Sequence, residues 1–128
     1  MDITKYTSYF HDGEVLNVEH NDGNIKISMR SAEIDLDSID PVLLTKDNRL
    51  VGILHVNGVK LIINNEKKFE QKMKMLLSDN DLLHLEIKEG VVFCEIGWRG
   101  GNPCQFDFSA FEIHADEIWW ENMPDYKV

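Results

Sequence analysis

Cysteine is scarce in this chain, and a long apolar run is missing altogether. Cys94 and Cys104 are the only two cysteines. That is too few for a disulfide scaffold, and they lack the Cys-x-x-Cys spacing of a zinc or redox site. No stretch approaches the roughly 20 apolar residues that cross a bilayer. The opening Met1-Asp-Ile-Thr-Lys-Tyr has no charged-then-apolar leader pattern, and no Asn-x-Ser/Thr acceptor occurs. A cytoplasmic protein with reduced thiols and no membrane partner is the expectation. Clustered positive charge is missing too, with 13 Lys and Arg against 23 Asp and Glu, a formal net charge of −10. Binding to phosphate backbones needs Lys/Arg clusters, so nucleic acid is not expected as a partner. The acid excess keeps the chain soluble and speeds encounter with a basic partner.

The signatures of catalysis are also lacking. Neither nucleotide fingerprint, Gly-x-Gly-x-x-Gly or Gly-x-x-x-x-Gly-Lys, occurs. The one glycine-rich loop, Gly97-Trp-Arg-Gly-Gly, has no helix behind it and reads as a strand connection. His11, His20, His55, His84 and His114 are scattered, without His-Glu-x-x-His or His-x-His. Asp35-Leu-Asp37 and Asp40 open like a calcium loop, but Asp40 takes the glycine position and Lys46 the final glutamate. There is no Gly-x-Ser-x-Gly elbow, and Cys94 falls mid-strand, where a thiol is an inert small hydrophobe. No enzyme class, cofactor or metal is supported.

What is present is alternation. At 128 residues and 43% hydrophobic, the chain fits a single β-rich domain over 1–128. The stretch Leu50–Asn64 is apolar on both faces and interrupted at Asn57-Gly58, which predicts a central β-hairpin with a type I′ turn. Strands are predicted at about 14–20 and 24–30, joined by Asn21-Asp22-Gly23, with a phase slip near Arg30-Ser31 read as a β-bulge rather than a chain break. Another hairpin runs from Leu82 to Trp98 around Glu89-Gly90, followed by a loop at 99–103. Phe106, Phe108 and Ala110 read as one inward set. A slip near Ala110-Phe111 then moves that set to Phe111, Ile113 and Ala115, before a short last strand at 118–122. Phe69, Met73, Leu76 and Leu77 recur at helical spacing among lysines and glutamates, predicting one helix over 66–78. The fold class is α+β but mostly β: an antiparallel meander of about eight or nine strands, as a bent sheet or sandwich, with that helix over one end or face.

Two features stand out as candidate sites. Trp119 and Trp120 are adjacent in a strand and so point to opposite faces, one toward the core and one toward solvent. An exposed Trp anchors protein partners or sugar rings, and Glu117, Glu121 and Asp125 surround this pair in sequence. The second feature is Phe10-His11-Asp12-Gly13, where Asp-Gly builds a tight turn before the first strand or marks a site of unknown role.

This second motif carries a resemblance. Tyr9-Phe-His-Asp-Gly-Glu-Val-Leu-Asn-Val, followed by Ile25-Lys-Ile-Ser-Met-Arg-Ser-Ala-Glu-Ile34, resembles small uncharacterised bacterial proteins that open with Phe-His-Asp and a β-hairpin. More distantly it is similar to the polymorphic-toxin immunity proteins of the group called immunity protein fifty. The resemblance covers mainly residues 6–36 and implies a small cytoplasmic β-rich protein that acts by binding. The functional expectation is therefore a non-catalytic protein-binding module for a basic partner, of which an immunity-type toxin inhibitor is one form. The alternative is a β-sandwich that binds a small ligand or carbohydrate through an exposed Trp. Either a monomer or a homodimer through an edge strand is compatible with the sequence.

Overall fold

The computed structural model describes residues 1–101 and 103–126; Asn102, in the expected 99–103 loop, lies outside them. Strands β1 (Glu14–Asn21), β2 (Asn24–Arg30), β3 (Val51–Asn64), β4 (Lys67–Lys68), β5 (Asp79–Lys88), β6 (Val91–Gly100) and β7 (Gln105–Asn122) form one antiparallel sheet. Its order is β1-β2-β3-β7-β6-β5, with the short β4 paired to the end of β3. The sheet is thus two three-stranded meanders joined where β3 meets β7. Two-residue turns at Asp22-Gly23, Asn65-Glu66 and Glu89-Gly90 have positive φ at both positions, the geometry that matches the twist of the flanking strands.

The sheet is open but curls until its edges touch. Gly13 bridges Leu82. Beside that bridge the buried Asn80 amide, on β5, accepts from the Val15 N–H at 2.7 Å and donates to the Val15 carbonyl at 2.8 Å. One apolar core fills the concave side, including Ile25, Ile27, Met29, Leu54, Val56, Ile96, Trp98 and Ile113. Residues 31–50 and the N-terminal 3-10 turns cover one opening of the curl, with Ile34, Ile39, Leu44 and Phe10 buried. Residues 69–78 cross the opposite opening as a strap. No helix is long and apolar enough to cross a membrane among the described residues.

The predicted helix over 66–78 does not form. After β4 the chain is irregular and extended, and Met73, Met75 and Leu77 turn inward on alternate residues while Leu76 is exposed. A period of two and a helical period share Phe69 and Met73, so the short window could not separate them. Tertiary anchors decided the outcome: Phe69 meets Phe111 edge to face, and the Met73 N–H donates to His20 Nδ1 at 3.0 Å.

The predicted hairpin at Asn57-Gly58 is also absent. Gly58 does adopt a positive φ of 65°, but Asn57 does not, and a type I′ turn needs both. The arms stay collinear as β3, because both pair with β7, and the first also pairs with β2. The glycine instead precedes a bulge between Val59 and Leu61. The expected last short strand is the end of the 18-residue β7. These two mergers take the eight expected strands to six, no ninth forms beyond Arg30, and the short β4 inside the expected helix makes seven. Near Arg30 the chain leaves the sheet rather than bulging, since β2 ends there. The central position expected for 50–64 does hold.

Two outcomes follow. Asn80→Ala leaves two buried backbone groups of Val15 without partners and should cost about 2–4 kcal/mol in urea unfolding; a loss near zero would mean the edges are not held by this amide. His20 is held below the ordinary histidine range, first by burial and then by Lys72, and its Nδ1 must be unprotonated to accept from Met73. The stability it contributes is present above pH 6.5 and is lost as pH falls through its lowered folded value. Amide-exchange protection at Met73–Leu77 should therefore drop under acid, and equal protection at both pH values would refute the anchor.

Candidate functional site

The sheet's convex face is where the candidate residues gather, and β7 runs through its middle. Alternation along β7 turns Ser109, Phe111 and Ile113 into the core, leaving Ala110, Glu112 and His114 outward. The inward set shifts parity between Ala115 and Ile118, beside the β3 bulge, so that Trp120 points inward and Glu117, Trp119 and Glu121 point outward. The slip expected near Ala110-Phe111 therefore lies farther along. Phe106 and Phe108, expected inward, face solvent at 79% and 44% exposure.

Trp119 and Trp120 separate as their adjacency requires. Trp120 is 7% exposed, packs edge to face on Phe10 with centroids 5.4 Å apart, and donates from Nε1 to Asn122 Oδ1. It is a core residue, and Trp119 is the solvent-facing member of the pair. Trp119 is 44% exposed. Its ring lies flat on His55, the cross-strand neighbour on β3, with centroids 3.9 Å apart and planes 3° apart. His55 is 8% exposed, and its Nε2 meets Glu121 Oε1 at 2.9 Å. The Asn57 amide donates to Glu117 Oε1 at 3.0 Å. One face of the indole is thus backed by a fixed imidazole, the other is open, and two carboxylates flank it. Asp125 is exposed in the C-terminal turn.

Phe10-His11-Asp12-Gly13 closes the sheet. Phe10 is fully buried. Asp12, at φ 67°, donates its N–H to the Leu82 carbonyl at 2.9 Å, and the Leu82 N–H donates to the Gly13 carbonyl at 2.8 Å. His11 Nδ1 lies 2.6 Å from the Leu83 carbonyl, so that nitrogen must carry the proton. A side chain at position 13 would overlap the Arg30 carbonyl. All four residues serve the junction of β1 with β5, which is the turn-building role.

Two further features escaped the sequence. A concavity of about 400 Å³ lies on the convex face over β5, β6 and β7, lined by Phe93, Ile63, Glu66, Glu86, Glu95 and Glu112 among others. A polar pocket of about 110 Å³ at the edge junction gathers Arg30, Arg49 and Arg99. These arginines already meet carboxylates: Arg30 with Glu14, Arg49 with Asp47, and Arg99 with Asp81 through two hydrogen bonds that hold the Asp81 carboxyl below its usual range. That pocket is an ion-pair collar. The five histidines take separate partners, and among the described residues no three His, Cys, Asp or Glu side chains are placed to hold a metal ion.

Burial, and secondarily Glu95, push the Cys94 thiol up to about 12, so it is protonated and unreactive at neutral pH. Cys104 is free and exposed. Iodoacetamide at pH 8 should therefore label Cys104 alone in the folded protein and both cysteines in denaturant, read by intact mass; native labelling of Cys94 would contradict its burial.

The chain matches no family model, no curated protein and no solved structure.

Proposed function

We propose that this protein is a non-catalytic protein-binding module for a basic partner, acting in the manner of an immunity-type inhibitor that covers a toxin's basic active surface. The observation that carries the reading is Trp119. Its ring is fixed in place by the His55 stack before any partner arrives, so little side-chain entropy is lost on binding. Glu117 and Glu121 stand beside it. A rigid aromatic next to carboxylates is the composition of a binding anchor with a charged surround. The net charge of −10 raises the encounter rate with a basic surface and disfavours acidic ones. The buried, high-pKa Cys94 supports a non-catalytic role for the thiol most sheltered in the fold. The resemblance of residues 6–36 to immunity proteins points the same way.

The open indole face with flanking carboxylate acceptors also suits a sugar ring, which gives the second reading. Tryptophan fluorescence titrated with a sugar panel separates the two, because a sugar stacked on Trp119 shifts its emission.

The full chain, immobilised and exposed to bacterial lysate, should retain a basic protein at low salt and release it as salt rises. Trp119→Ala should weaken that capture by about 2 kcal/mol, a thirtyfold loss. Capture of nothing, or capture indifferent both to salt and to Trp119→Ala, would refute the reading.

A further inference from the structure

The convex face of β5, β6 and β7 gathers the exposed Leu83, Phe106 and Phe108, at the other end of β7 from Trp119. Phe108 is paired with Gly97, and Leu83 lies over that glycine, within ordinary contact distance of where a side chain would begin. Phe106 is the next outward residue on β7 and the most exposed large hydrophobic side chain described. The concavity of about 400 Å³ opens on the same face, with Phe93 among its lining. Four carboxylates, Glu66, Glu86, Glu95 and Glu112, rim it, and no lysine or arginine lines it. Three exposed apolar residues beside such a rim have the anatomy of an interface, an apolar centre within a charged border.

We infer that this face is a second docking surface for the basic partner, receiving a lysine or arginine beside an apolar residue, with the cation over Phe93 among the four glutamates. The inference rests on the protein-binding reading above and adds to the Trp119 anchor a separate contact region that a short peptide occupies on its own. Charge decides the occupant. A second copy would bring an identical acidic rim against this one, and an anionic membrane or a nucleic acid would be repelled by a chain of net charge −10. A basic protein segment gains from both features: its apolar residue covers Phe106 and Phe108, and its cation enters a carboxylate ring over an aromatic face. Strand β3 pairs with β7 only from Phe111 onward; Asn65 takes up the β7 backbone at Phe108 and Ala110, and Leu76 and Leu77 lie beside Phe106, so the incoming segment meets side chains rather than a free strand edge.

The test uses the full chain and a library of linear random peptides displayed on phage, followed by titration of the enriched peptides. Enrichment of peptides with Lys or Arg beside an apolar residue is expected. Their Kd should rise at least about tenfold in Phe106→Ser/Phe108→Ser and in Glu95→Lys/Glu112→Lys, while Trp119→Ala binds like the parent protein. Amide shifts on binding should map to β5, β6 and β7. These positions face solvent, and circular dichroism checks that each variant folds. If Trp119→Ala abolishes binding and the phenylalanine and glutamate variants do not, the docking site is wrong and the protein-binding reading stands. Enriched peptides without basic residues overturn the inference. So does a dimer in sedimentation that Phe106→Ser/Phe108→Ser dissolves, or retention on anionic vesicles. No enrichment, together with no captured protein, removes both readings.

Discussion

Strand β7 is hydrogen-bonded on both flanks, to β3 from Phe111 to Asn122 and to β6 from Gln105 to His114. This double pairing joins the two meanders into one sheet. It also holds β3 straight through Gly58, since folding β3 back into a hairpin would strip the β7 ladder from both arms. A glycine with positive φ is then absorbed as a bulge, which bends the strand and increases its twist. The curl that results brings β1 and β5 together.

Closing that curl takes polar groups with matched partners. Asn80 imitates a strand residue toward Val15, and the Asp12-Gly13 turn exchanges backbone hydrogen bonds with Leu82. A buried amide without such partners would be costly, and among the described residues no buried side-chain polar atom lacks one. The openings are covered by irregular chain rather than helices, which suits a small curled sheet whose core needs only a few inserted apolar groups at each end. Phe10, Ile34 and Leu44 serve one opening; Phe69, Met73 and Leu77 serve the other.

Because the concave side is filled, the convex side is the surface available for binding, and β7 sets what it displays. Its outward residues run from Phe106 through Glu112 to Trp119 and Glu121, aromatic at both ends and acidic between. Arg30 and Arg49 sit elsewhere, and Arg99, across from Phe106, is engaged by Asp81. Aromatic side chains on the sheet with carboxylates around them are the features on which the proposed binding to a basic protein rests.

Local chemistry was enough to read several parts of this protein from the chain. Asp22-Gly23 and Glu89-Gly90 announce their turns because positive φ at two successive positions is a local demand. The alternation of β2 and β6, the burial of Cys94 and the opposite facing of Trp119 and Trp120 follow from a period of two. Asp12-Gly13 likewise announces a turn, though not that the turn closes a sheet against Leu82. Tertiary structure alone decided whether Gly58 would turn or bulge, whether 66–78 would coil or stretch, and which way Phe106 and Phe108 would face. Each of those outcomes depends on strands or side chains distant in sequence: β7 for Gly58, His20 and Phe111 for the strap, and the register against the inward Trp98 of β6 for Phe106 and Phe108. A pattern of period two names the two faces of a strand, but only the partner across the sheet decides which face is buried.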